Sequence, residues 1–123
     1  MVFKDFFGIE LRDDRWLMVA HRCHGRPCFH RRFNYSVGSL SALVAFIRAR
    51  ATQPRVCMNA VGEAAIKVAL QLGRLTEAEV VLLSSHGWQH LAAQRLPASA
   101  PPSVVDQALW PAARLAWYAE CLR

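Results

Sequence analysis

Apolar residues recur along this chain with two different periods. Residues 6 to 11 and 15 to 22 are apolar and rich in β-forming types around the polar turn Arg12-Asp13-Asp14, and Cys28 to Tyr35 alternates between polar and apolar. This spacing predicts three strands, the second and third joined by the turn His24-Gly25-Arg26-Pro27. From Ser36, a helix-capping type, the apolar positions Val37, Leu40, Leu43, Val44 and Ile47 follow the helical period until Gln53-Pro54 stops it. Arg55 to Ala60 reads as a short buried strand, Gly62 to Leu72 as a helix ended by Gly73, and Val80 to Ser84 as another buried strand. Residues 97 to 102, Pro-Ala-Ser-Ala-Pro-Pro, form a stiff linker before a last helical segment. Pro111 removes a backbone donor in that segment, so a helix beginning near Ser103 should kink there, or a new helix should start at about Leu109.

The predicted order is β-β-β-α-β-α-β, a linker, then α. A leading antiparallel meander followed by helix-separated strands implies an α/β fold with a five-stranded mixed sheet in the order 3-2-1-4-5 and helices on both faces. The 123 residues suit a single domain with one core. No apolar run approaches the roughly 20 residues of a membrane span, and Met1-Val2-Phe3-Lys4-Asp5 leads straight into a strand, unlike a signal peptide. Cysteines at 23, 28, 57 and 121 read as reduced thiols of a cytoplasmic protein, although four can pair in three ways.

Charge changes the picture. The net charge is +6, and residues 1 to 62 hold ten Lys/Arg against four Asp/Glu, whereas residues 63 to 123 hold five of each. Arg22, Arg26, Arg31 and Arg32 lie in a stretch with no acid. Arginine grips phosphate through two parallel hydrogen bonds, so this asymmetry favours a nucleic-acid partner, DNA or RNA. Phe33 and Tyr35 beside it can stack on unpaired bases if exposed. The plainer reading is a solvated basic surface. Glu10 stands out for the opposite reason: a lone carboxylate inside an apolar strand is costly unless it is paired or holds a metal.

The strings Gly8-Ile9-Glu10, Gly25-Arg26-Pro27, Arg31-Arg32-Phe33-Asn34 and Val56-Cys57-Met58-Asn59-Ala60-Val61-Gly62 carry a closer resemblance. Together with the element order of the ribonuclease H-like fold, they resemble the N-terminal RuvC-like domain of DEDD-type insertion-sequence transposases and the related Piv-like DNA invertases, over residues 6 to about 118. The resemblance implies a DNA-recombination fold whose four acids hold Mg or Mn. In the family the first strand carries Asp after Gly-Ile, the fourth a Glu, and the last helix an Asp-x-x-Asp pair. Position by position, Glu10 replaces the Asp, Asn59 replaces the Glu, Ser103 stands where the first acid of the pair should be, and Asp106 is the final acid. Two-metal sites need clustered carboxylates, so the expectation is weak or lost metal-dependent strand cleavage, with Glu10 and Asp106 as the remaining metal ligands. The family continues into a second domain bearing a catalytic serine, so no full recombinase is expected.

A second constellation is His21, Cys23, His24, Cys28 and His30, since thiolate and imidazole are natural zinc ligands. No second ligand pair follows at the usual spacing, and a hairpin with small half-buried cysteines is the plainer reading. His86 and His90 can share a helix face and read as surface residues. Two functional readings follow. One is a transposase-derived nucleic-acid-binding domain; the alternative is a non-catalytic protein-interaction module using the fold as a scaffold, with a homodimer through Leu109, Trp110 and Trp117.

Overall fold

The computed structural model describes residues 4–23, 25–35, 40–59, 62–93 and 110–122, without the side chains of Pro27 and Trp110. Strands β1 (Asp5–Arg12), β2 (Trp16–Cys23) and β3 (Arg26–Asn34) form the meander. They are followed by α1 (Ser41–Arg50), β4 (Arg55–Asn59), α2 (Gly62–Thr76), β5 (Glu79–Leu83), α3 (Ser85–Ala92) and α4 (Trp110–Cys121). The five strands form one mixed sheet in the order β3-β2-β1-β4-β5, antiparallel through β1, β2 and β3 and parallel from β1 to β4 and β5. Both the order and the strand directions are those expected from the chain pattern. The first hairpin turns through Asp13 and Asp14, both in the left-handed region at φ 56° and 49°, a conformation Asp tolerates better than most residues.

Alternation along the strands divides the sheet into two faces. Phe7, Ile9, Leu17, Val19, Phe33, Val56 and Met58 point to one face and are covered by Leu43, Phe46 and Ile47 of α1 with Val68, Ala69 and Leu72 of α2. The opposite face is covered by α3 and α4. Phe6, Cys57 and Leu83 meet Leu91 of α3 with Leu115 and Ala119 of α4, and Met18 and Ala20 meet Ala112, Ala113 and Ala116. The alanines let α4 sit unusually low, and Gly8 completes the fit: a Cβ built there would lie 2.0 Å from the Ala112 carbonyl oxygen and 2.2 Å from the Ala116 nitrogen. Only glycine admits the helix at this distance.

Three elements depart from the expected pattern. Helix α2 runs through Gly73 to Thr76. A mid-helix glycine costs only about 1 kcal/mol relative to alanine, less than exposing the fully buried Leu72 next to it. The stop lies instead at Thr76 and Glu77: the Thr76 hydroxyl donates to the Leu72 carbonyl, and Glu77 takes a left-handed φ of 56°. Helix α3 has no counterpart in the expected order, although it carries both His86 and His90. Its eight residues are too few for an apolar stripe to declare itself, and its N-terminal signal is the Ser84 side chain accepting from the Gly87 N–H at 3.1 Å. The third departure concerns cysteine chemistry. Cys23 and Cys28 form a disulfide, not the reduced thiols expected, because the hairpin brings their Cα atoms to 6.1 Å, within bonding range. Cysteine usage therefore gives no argument for a reducing compartment.

Helix α4 begins at Trp110 with Pro111 in its first turn, where the missing N–H has no intrahelical partner to lose. The expected linker 97–102, the Ser36 cap, and Ser103, Asp106 and Leu109 lie outside the described residues. No described helix is long and apolar enough to cross a membrane.

Candidate nucleic-acid interface and degenerate acidic site

Glu10 and Asn59 are brought together by strand register. Parallel pairing sets Gly8 beside Cys57 and Ile9 beside Met58, so Glu10 and Asn59 follow at the same level on neighbouring strands. Both belong to the face covered by α3 and α4, because the flanking Ile9 and Met58 point to the other. The side chain of Glu10 is only 16% exposed, and its Oε1 accepts from the Arg12 guanidinium at 2.6 Å. Burial pushes the Glu10 carboxyl above the usual carboxylate range, and the positive charge and hydrogen bond of Arg12 recover only part of the shift. Asn59 is buried, and its Oδ1 has no hydrogen-bond partner.

These two residues do not fit a two-cation centre. They supply one carboxylate already held by Arg12 and one neutral amide, far less negative charge than two divalent ions require. Among the described residues, the group of three or more possible metal ligands is His21, Cys23 and Cys28, which does not include Glu10. Ser103 and Asp106, the other two positions that the resemblance implies for the acidic set, lie outside the described residues.

A titration follows from the burial of Glu10. A carboxyl raised in the folded state takes up a proton more readily there than in the unfolded chain, so its charged form is a net cost to folding. That cost is absent below the ordinary Glu range and grows as pH rises through that range to the raised value. Glu10→Gln should therefore gain stability relative to the parent protein at pH 8 compared with pH 4. Urea midpoints of both proteins at the two pH values measure this, and a pH-independent difference would contradict the raised proton affinity.

The four arginines separate. Arg22 is 2% exposed, and its guanidinium donates to the Gly25 carbonyl at 3.0 Å and to Glu120 of α4 at 3.4 Å, so it ties the sheet to a helix and does not belong to the surface set. Arg26, Arg31 and Arg32 are exposed. Arg31 lies over the Phe33 ring at 4.9 Å and Arg32 over the Trp16 ring at 5.2 Å, placing them on opposite faces of the edge strand β3. Phe33 itself is buried against Phe46 and cannot receive a base; Phe29, 40% exposed, is the accessible ring of this strand.

Sequence reasoning did not single out Trp16 and Arg15. Arg15 sits over the Trp16 ring at 5.5 Å, so two guanidinium groups approach the same indole. The signal was the Arg15-Trp16 pair at the start of β2, but Arg32 joins it only through the β2 to β3 register, in which Met18 faces Arg32. Because Met18 also faces Glu10, one row across the sheet runs from Asn59 through Glu10 and Met18 to Arg32. Glu10 and Trp16 thus share a face.

The cysteine and histidine constellation divides as well. His21, Cys23 and Cys28 lie together, whereas His30 pairs beside Ala20 on the opposite face, and burial pulls its pKa below the usual histidine value. His24 lies outside the described residues. Burial pushes the Cys57 thiol up to about 12, which removes it as a nucleophile. No protein-family model matches the chain, and no curated protein matches it either.

Proposed function

We propose that this chain is a transposase-derived nucleic-acid-binding domain of ribonuclease H-like, RuvC-like fold whose metal-dependent strand cleavage is weak or lost. The observation that carries the reading is the row from Asn59 and Glu10 to Arg32: two tetrad positions side by side on adjacent parallel strands, with arginines and an indole on the same face. Guanidinium groups supply phosphate contacts, and the half-exposed indole beside them adds an apolar one. The paired Glu10 and the neutral Asn59 support loss of cleavage with retention of binding.

Fluorescence anisotropy with labelled single-stranded and duplex oligonucleotides tests this. Affinity should fall steeply between about 50 and 200 mM salt. Replacing Arg15 and Arg32, the two arginines on the Trp16 face, together with Ser should reduce the duplex salt slope by about 0.9 for each phosphate that is no longer neutralised. Arg22 is left in place because it is structural. Cleavage by the same protein in Mg or Mn should remain slow or absent. Unchanged affinity in the double variant would end the proposal.

The second reading, a protein-interaction module, draws on an exposed surface of α2 besides the expected Leu109, Trp110 and Trp117 face, of which Leu109 and the Trp110 side chain lie outside the described residues. Trp117 is half-buried against the α3 and α4 core, while Leu70 of α2 is 63% exposed, with Ile66 one turn before it on the same helix face. Two adjoining exposed apolar side chains offer a contact surface. This reading predicts association without nucleic acid, which light scattering detects.

A further inference from the structure

The end of the β2 to β3 hairpin carries a group of side chains that the proposed nucleic-acid face does not use. The ligand atoms of His21, Cys23 and Cys28 all lie within 4.8 Å of one another. His21 is fixed from two sides. Its ring stacks on Phe7 with centroids 4.3 Å apart and planes 3° from parallel, and its Nε2 donates to Asp5 Oδ1 at 2.9 Å. Asp5 in turn sits across from Cys23 in the strand register. A carboxylate that accepts from one ring nitrogen leaves the lone pair on the other, the arrangement that orients metal-binding histidines. Cys28 is exposed and Cys23 half-exposed, so reductant and ions can reach the sulfurs.

We propose that, once the disulfide is reduced, the Cys23 and Cys28 thiolates and the His21 imidazole bind a zinc-class divalent cation, with Asp5 as the positioning residue. A dithiol or phosphine reductant supplies two electrons, the sulfur–sulfur bond breaks, and two protons from solvent complete the thiols. Coordination then releases those two protons and forms two metal–sulfur bonds. His21 contributes the lone pair of its unprotonated nitrogen, and water completes a tetrahedral set. Tetrahedral coordination needs ligand atoms about 3.5 to 3.8 Å apart, so the sulfurs have to part while the histidine is already within reach. A small-molecule disulfide oxidant takes back two electrons by thiol–disulfide exchange, leaving as two thiols while the Cys23–Cys28 bond re-forms and the ion is released, which makes the hairpin a two-state element with mutually exclusive covalent and metal-bound forms. Two soft sulfurs and one nitrogen select zinc over magnesium or calcium.

The test uses the full chain carrying Cys121→Ser, which removes the exposed thiol on α4. After anaerobic reduction with a phosphine, zinc is titrated against a chromophoric chelator, and cobalt is added in parallel to read thiolate coordination by absorption. The expected result is one equivalent of zinc on the reduced chain, none on the oxidised chain, and a thiolate-to-cobalt charge-transfer band. Cys28→Ser should abolish both signals, and because position 28 is exposed, circular dichroism should show the fold retained. Asp5→Asn should keep the stoichiometry and weaken affinity by about 10- to 100-fold. Absence of zinc uptake by the reduced chain, or uptake undiminished by Cys28→Ser, would overturn the proposal. Unchanged affinity in Asp5→Asn would remove Asp5 from it.

Discussion

Substituting Gly8 with alanine is expected to destabilise the protein by about 3 kcal/mol, the upper end of the usual cost of overpacking in a core. The added methyl would meet the Ala112 carbonyl oxygen, the Ala116 nitrogen and, at 2.8 Å, the Leu115 carbonyl carbon, all of them backbone atoms of α4. A side chain can rotate away from a clash, but a helix axis must move as a unit. Lifting it uncovers Phe6, Met18, Ala20 and Cys57, each buried now, so relief of the clash costs apolar burial over much of that face. Gly8→Val should detach α4 outright. Urea denaturation measures the first effect, and hydrogen exchange at the amides of α4 measures the second, with protection lost there before the sheet opens. An unchanged midpoint for Gly8→Ala would mean that the helix stands higher above the sheet than these distances place it.

The second large effect is expected at Arg55, the first residue of β4. Its guanidinium donates from Nη1 to the carbonyls of Ala119 at 3.3 Å and Leu122 at 2.7 Å, closing the C-terminal end of α4, and from Nη2 to Glu79 at 3.4 Å. A buried cation on helix-terminal carbonyls combines charged hydrogen bonds with a favourable helix dipole, so Arg55→Met should cost about 3 kcal/mol. The Glu79 arm should contribute little. That carboxylate is 48% exposed, and a pair of this kind is worth under about 1 kcal/mol. Thermal unfolding of Arg55→Met beside Glu79→Gln separates the two arms, and equal losses would show that the ion pair, not the helix end, is what Arg55 holds.

Sheet order, strand direction and the pairing of Glu10 with Asn59 were legible in the sequence because each depends on short-range signals. Alternating apolar residues, the Asp13-Asp14 turn and the right-handed crossovers suffice to put position 10 beside position 59. What was not legible depends on what covers a face. Alternation says that Arg22 and Arg32 point the same way from neighbouring strands, but only the arrival of α4 decides that Arg22 is enclosed against Glu120 while Arg32 stays exposed. Phe33 is decided in the same way by Phe46 on α1. The disulfide depended on a spatial separation, since a Cys-x4-Cys spacing across a turn is compatible with bonded, ligating or free sulfurs. The end of α2 turned on the balance between a glycine penalty and the burial of Leu72, and a residue-by-residue reading assigns too much weight to the glycine.

Helix α4 lies against β1, the first strand, although the two are separated by on the order of a hundred residues. Strands and helices on the α1 and α2 side can assemble from near neighbours in the chain, so that half of the sheet has an early route to a formed core. The other half must wait. Until the last helix reaches it, Gly8, Ala20 and Met18 form an apolar floor without its cover. Synthesis from the N-terminus makes this interval unavoidable, and its length is set by how fast the ribosome delivers the final stretch. The same low seat that makes the finished protein tight makes the nascent one dependent on timing.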